Sequence, residues 1–116
     1  MGKIEKMARG ILKRIEEGTA KFNDVIEYIE SKYTHNGTAF KNGLQENAAD
    51  QNQGSAKVFA FAKLNELSKE DTLKLFAEYY QAVLNTPEGE GHQNIRQFML
   101  NGWSGVYFEG EALTSK

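Results

Sequence analysis

Five stretches of the chain place apolar residues three and four positions apart, and this spacing constrains the fold more than any other feature. Ile4, Met7, Ala8, Ile11, Leu12 and Ile15 form one stripe, and Gly18 follows as a C-terminal stop. Gly10 lies inside this helix and weakens it by about 1 kcal/mol relative to alanine. Phe22, Val25, Ile26, Ile29 and Tyr33 form a second stripe, with Asp24, Glu27, Glu30 and Lys32 on the opposite face. The third segment opens near Ser55 and runs to about Glu66. Val58, Phe59, Phe61, Ala62 and Leu64 cover more than half its circumference, which predicts a central buried helix. The fourth begins at Ser68, which forms a capping-box pattern with Asp71. Leu73, Phe76, Tyr79, Tyr80, Val83 and Leu84 turn it inward until Asn85-Thr86-Pro87 ends it. In the fifth, Ile95, Phe98 and Met99 face in and Gly102 closes the helix.

Two stretches break this period. Residues 34–54, THNGTAFKNGLQENAADQNQG, are rich in Asn, Gln, Gly and Asp, which favour turns through side-chain-to-backbone hydrogen bonds. They read as one long polar loop pinned by Phe40 and Leu44, and loops of that length in a compact domain are often functional. Asn36-Gly37-Thr38 matches a glycosylation sequon, but no other feature suggests an exported eukaryotic protein. At the other end, Val106 and Phe108 alternate with Tyr107, as in a short strand or an extended tail, with Leu113 as a last anchor. With no second alternating run to pair with, no substantial sheet is expected. The expected architecture is mainly α: a compact bundle of about five helices in a single domain over residues 1–116, with a long polar loop at 34–54 and a short extended C-terminal tail.

Composition narrows the function classes. A chain of 116 residues is one domain by length. The absence of cysteine excludes disulfides, thiolate metal sites and a cysteine nucleophile. His35 and His92 are the only histidines, and no metalloprotease or EF-hand spacing surrounds them, so neither a metal nor a cofactor is expected. The net charge is -2 and the basic residues are interleaved with acids, which argues against nucleic acid as a partner. No apolar run approaches the roughly 20 residues that span a bilayer, and no leader pattern opens the chain. These features predict a soluble protein made in the cytoplasm that does not bind membranes.

The stretch GEGHQNIRQFMLNGWSG, residues 89–105, concentrates the polar chemistry. His92, Asn94 and Arg96 fall at the start of the fifth helix, where free amides and the helix dipole suit an anion. A guanidinium there suits a carboxylate or phosphate. The structural alternative is that Asn94 or His92 caps the helix, Arg96 pairs with an acid and Trp103 fills the core. Gly89-Glu90-Gly91 lacks the third glycine and preceding strand of a dinucleotide loop, and no G-x-S-x-G elbow is present. No catalytic residue is assigned, and the balance leans away from an enzyme. If a ligand pocket exists, its candidates are Asn42, Lys57, His92, Asn94, Arg96 and Trp103. That pocket requires the loop after Phe40 and the starts of the third and fifth helices to converge.

Several runs together resemble the HopJ type III effector family: T-A-F-K-N-G (38–43), G-S-A-K-V-F-A-F-A (54–62), Y-Y-Q-A-V-L (79–84), P-E-G-E-G-H-Q-N-I-R-Q-F (87–98), G-W-S-G-V-Y-F-E-G-E-A-L (102–113) and the terminal lysine. The resemblance covers about residues 22–116 and is weakest in the first helix. It implies a small, mainly helical bacterial protein from a family named for effectors that type III secretion delivers into host cells. It implies no activity or catalytic residue to carry over. It also implies a cysteine after Gly54-Ser55 in many members, where this chain has Ala56. The resulting expectation is a non-catalytic domain that acts on a protein partner, of the producing cell or of a host, through the 34–54 loop and the 88–96 turn. The rivals are a small-ligand receptor or enzyme around His92 and Arg96, and a housekeeping protein that is not secreted. The oligomeric state is left open.

Overall fold

A computed structural model describes residues 2–115, with side chains from Arg9 onward. Ile4, Met7 and Ala8 of the first stripe and the terminal lysine lie outside the described side chains. Helix α1 (Gly2–Glu16) ends at Gly18, whose φ of 78° lets its amide reach Ile15 O at 3.0 Å while Thr19 N reaches Arg14 O at 2.8 Å. Ile11 and Leu12 are buried, and Arg9 meets Asp71 of α4 at 2.7 Å, so this helix packs into the core rather than standing apart. Helix α2 (Phe22–Lys32) opens where Asp24 Oδ2 accepts from Lys21 N, and it buries Val25 and Ile29.

Helix α3 (Gln53–Leu64) is the centre of the molecule, as its wide apolar face predicts. Ala56, Val58, Phe59 and Ala62 have no exposed surface, and Phe61 is 1% exposed. The Phe59 ring lies 5.3 Å from Phe76, 5.0 Å from Phe98 and 6.3 Å from both Phe40 and Trp103, and so joins four other segments. Burying one such ring contributes about 1.5–3 kcal/mol, with a further increment from tilted and edge-on packing.

The fourth stripe is not one helix. Helix α4 (Lys69–Lys74), capped by Ser68 Oγ accepting from Asp71 N at 3.1 Å, stops before a tight turn, and α5 (Glu78–Asn85) restarts. Ala77 sits between them with φ 51° and ψ -121°, a conformation costly for any residue with a Cβ. The turn keeps Leu75 and Phe76 buried, which is why the apolar spacing runs across the break unchanged. Tyr79 and Leu84, expected to face in, are 39% and 44% exposed, because α5 presents a different face from α4. Leu64 at the end of α3 is also exposed, at 52%. Helix α6 (Gln93–Asn101) runs into a 3-10 helix over Gly102–Gly105.

The 34–54 segment is not an irregular loop, and the tail is not unpaired. Strand β1 (Tyr33–His35) pairs antiparallel with β5 (Leu113–Ser115), with Thr34 opposite Thr114. Strand β2 (Phe40–Asn42) lies between β3 (Gln45–Asn47) and β4 (Val106–Phe108), antiparallel to both. The six α-helices of the described residues are thus joined by two small sheets, and the fold is mixed rather than purely helical. Each strand is three residues long, so alternation shows only over Val106–Phe108, the stretch expected as a short strand or extended tail. The inward positions of β2 and β3 also include Asn42 and Asn47, so the apolar signal of a strand face is missing. Phe40 is a core residue at 3% exposure, whereas Leu44, expected to pin the loop, stands 89% exposed at the hairpin tip. Gly43 at that tip has φ 61° and donates to Gly105 O at 2.9 Å, an approach in which an added Cβ would strike Gln97 Oε1.

Candidate functional site

Four asparagines form one hydrogen-bonded network, which Asn52 and Asn94 carry to the floor of the site. Asn42 Nδ2, on β2, donates to Asn94 O at 2.6 Å and lies 3.2 Å from Asn94 Oδ1. Asn47 Nδ2 donates to Asn94 Oδ1 at 3.2 Å, and Asn94 Nδ2 returns a bond to Asn47 Oδ1 at 3.0 Å. Asn52 Nδ2 also reaches Asn47 Oδ1, at 2.7 Å. Asn42, Asn47 and Asn94 are all buried. The network ties the β2–β3 hairpin to the starts of α3 and α6 without placing a charge in the interior. Asn42 Oδ1 is the one buried side-chain polar atom without a partner among the described residues.

Above this floor lies an open cleft of about 400 Å³. Asn52, Gly54 and Ser55 at the start of α3 form one wall, and His92, Gln93, Asn94 and Ile95 at the start of α6 form another. Phe22, Phe76 and Tyr79 supply an aromatic side, and Gln45 and Glu90 complete the rim. Tyr79 is stacked on His92 with centroids 5.3 Å apart, and Phe22 lies 4.9 Å from Tyr79. Asn52 (φ 49°) and His92 (φ 55°) both adopt the left-handed conformation, so each helix begins with an abrupt change of chain direction at the cleft. Neither helix has a side-chain cap or an acidic residue in its first turn. The positive ends of two helices therefore border one cleft beside a stacked aromatic pair, an environment suited to a hydrogen-bond acceptor with an attached flat or apolar group. Ser55 and His92 share the cleft, with no hydrogen bond between them among the described residues.

The six candidate residues divide. Asn42 and Asn94 are bonded to each other in the network, and His92 lines the cleft. Neither capping expectation describes α6: His92 is the N-cap residue but its side chain makes no cap bond, and the Asn94 amide faces the network instead. Arg96 pairs with no acid among the described residues. Its Nε donates to Gly91 O at 2.6 Å, Nη1 to Thr86 O at 2.8 Å and Nη2 to Thr86 Oγ1 at 3.0 Å, clamping the 86–91 turn that carries Glu90 to the cleft. Lys57 is bonded to Glu30 of α2 at 2.7 Å. Trp103 packs edge-on to Phe98 at 5.0 Å and donates to Leu67 O at 3.2 Å. Residue types alone did not point to Gln45, Asn47 and Asn52, which lie in the 34–54 segment expected as a loop, and they favoured a core role for the Tyr79–Tyr80 pair. The asparagine-rich stretch was the available signal, since polar residues unexplained by turns are candidates for buried networks. Burial raises the Tyr28 phenol above its ordinary value, with Tyr33 adding to the effect, but that ring packs edge-on to Phe61 away from the cleft.

The family model for the HopJ type III effector protein matches residues 9–113. The chain belongs to the HopJ type III effector family. The match begins inside α1, so the HopJ pattern includes the part of the first helix that buries Ile11 and Leu12. Among solved structures, the crystal structure of the unknown function protein VPA0580 is similar at 42% identity with a TM-score of 0.85, covering 93% of this chain and 92% of that one. No curated protein matches the chain. Among the described residues, no helix is long and apolar enough to cross a membrane.

Proposed function

We propose that this HopJ chain is a non-catalytic recognition domain that engages a protein partner, in the producing cell or in a host reached by type III secretion, through the cleft between the starts of α3 and α6. One observation carries the reading. The two stretches with the most unexplained polar chemistry, 34–54 and 88–96, meet at that single cleft through Gln45, Asn52, Glu90, His92 and Asn94. A partner segment would present a carboxylate or main-chain carbonyl to the helix starts and an apolar or flat side chain to Tyr79 and His92. Membership of a family named for effectors supports delivery, and a translocation reporter under the native promoter tests it separately.

The cleft volume favours a second reading, a small-molecule receptor, because it falls within the roughly 300–1,000 Å³ typical of ligand sites. One experiment separates the two. Thermal shifts of the purified chain are recorded against a metabolite and nucleotide panel and against a peptide library, with Tyr79→Ala and His92→Ala alongside. Binding at 100 times the dissociation constant stabilises the fold by about 2.7 kcal/mol. A peptide hit lost in both variants supports the proposal, and a metabolite hit lost in both replaces it with the receptor reading. Hits unchanged in both variants place recognition elsewhere and overturn the cleft assignment.

A further inference from the structure

Three Asn-Gly sequences occur in the chain, at 36–37, 42–43 and 101–102. This dipeptide has a chemistry of its own. The glycine amide nitrogen attacks the asparagine Cγ, a carbon–nitrogen bond forms, the carboxamide C–N bond breaks and ammonia leaves. Water then opens the resulting succinimide at either carbonyl, giving aspartate or isoaspartate. No oxidant, reductant or enzyme is needed. The attack requires a glycine amide free of hydrogen bonds and an asparagine side chain able to swing over it.

The fold closes two of the three sites. Asn42 is fully buried, its amide is bonded to Asn94, and Gly43 N donates to Gly105 O at 2.9 Å. Asn101 is held in α6 with its amide 3.2 Å from Gln97 O, and Gly102 N donates to Phe98 O. Asn36 differs from both in its hydrogen bonding. It and Gly37 are exposed, its carboxamide makes no hydrogen bond among the described residues, and Gly37 N has no acceptor there. We infer that Asn36 is a site of spontaneous deamidation, selected by the tertiary structure from three sequence-equivalent candidates.

The product is not structurally silent. Isoaspartate routes the main chain through Cβ and lengthens it by one atom between residues 36 and 37. At Gly37 even an added Cβ would lie 3.1 Å from Ala49 O, so the two turns already touch. The next residue, Thr38, bonds Gln53 through both its N (3.3 Å) and its O (3.2 Å), and Gln53 opens α3 next to Asn52 of the cleft. The change therefore loads the clamp behind one cleft wall and adds a negative charge beside it.

The test is peptide mapping by mass spectrometry after the folded full-length chain has aged for days in mildly alkaline buffer. Chromatography separates the aspartyl from the isoaspartyl product. Asn36 is expected to convert at least roughly tenfold faster than Asn42 or Asn101, the factor that about 1.4 kcal/mol of added barrier supplies. In a sample digested to peptides before ageing, the three rates should converge. An intact Asn36 in the aged folded chain, or Asn42 or Asn101 converting as fast as it does, overturns the inference. So does the same tenfold preference persisting in the peptides, since sequence rather than fold would then select the site.

Discussion

Arg96 shows how a residue type can signal one role and occupy another. All three of its guanidinium nitrogens are engaged by Gly91 O, Thr86 O and Thr86 Oγ1, so it closes the C-terminus of α5 and shapes the 86–91 turn. Its planar array of donors is met by two carbonyls and a hydroxyl in place of a carboxylate. Arg96→Ala is expected to cost about 0.5–1.5 kcal/mol, since the turn loses its clamp while water takes over the exposed Thr86 and Gly91 acceptors. A urea titration checks this. An unchanged midpoint would mean that the turn holds without the clamp. Arg96→Lys should recover only part of the loss, since an ammonium cannot reproduce the fork.

Among the elements, the break between α4 and α5 is the least expected from the chain. It rests on Ala77 at φ 51° and ψ -121°, a conformation glycine adopts freely and alanine does not. The cost is sustained because Leu75 and Phe76 on the N-terminal side and Val83 beyond it are all buried, which leaves the turn no alternative path. Ala77→Gly should stabilise the fold, by up to about 1 kcal/mol once the lost backbone entropy of the unfolded state is offset. Thermal and chemical denaturation read this directly, and a destabilised variant would show that the turn is not strained in solution. The α4–α5 break also brings Tyr79 to the cleft.

For the molecule as a whole, both sheets join segments far apart in the chain. Strand β1 ends at residue 35 and its partner begins at 113, while β2 at 40–42 holds β4 at 106–108. The C-terminal segment is therefore part of the core, with Ala112 and Leu113 at 3% and 6% exposure. Leu113→Ala is expected to cost about 2–5 kcal/mol, whereas Leu44→Ala, at a residue 89% exposed, should stay within about 0.5 kcal/mol. Parallel urea titrations of the two variants test this, and equal effects would contradict the placement of β5 against the core.

The chain alone determined α1, α2, α3 and α6, their described inward faces apart from Leu64, the Gly18 and Ser68 signals at helix ends, and the HopJ family pattern. These are legible because helical hydrogen bonds are local and the apolar spacing that supports them lies within a few residues. Only the tertiary structure decided the rest. Three-residue strands carry little period to read, β4 alone showing alternation, and two of their three ladders depend on partners some seventy residues away. A buried asparagine looks like a loop residue until another amide is brought to it, and so Asn42, Asn47 and Asn94 became visible as a network only once α6 and the hairpin met. Of the six candidate residues, His92 and Asn94 line the cleft, Asn42 is bonded to Asn94 behind it, and Lys57, Arg96 and Trp103 are bonded elsewhere. Which side chains faced the cleft and which held its walls depended on acceptors such as Thr86 O, Leu67 O and the Glu30 carboxylate, supplied by elements that spacing along the chain does not relate to them.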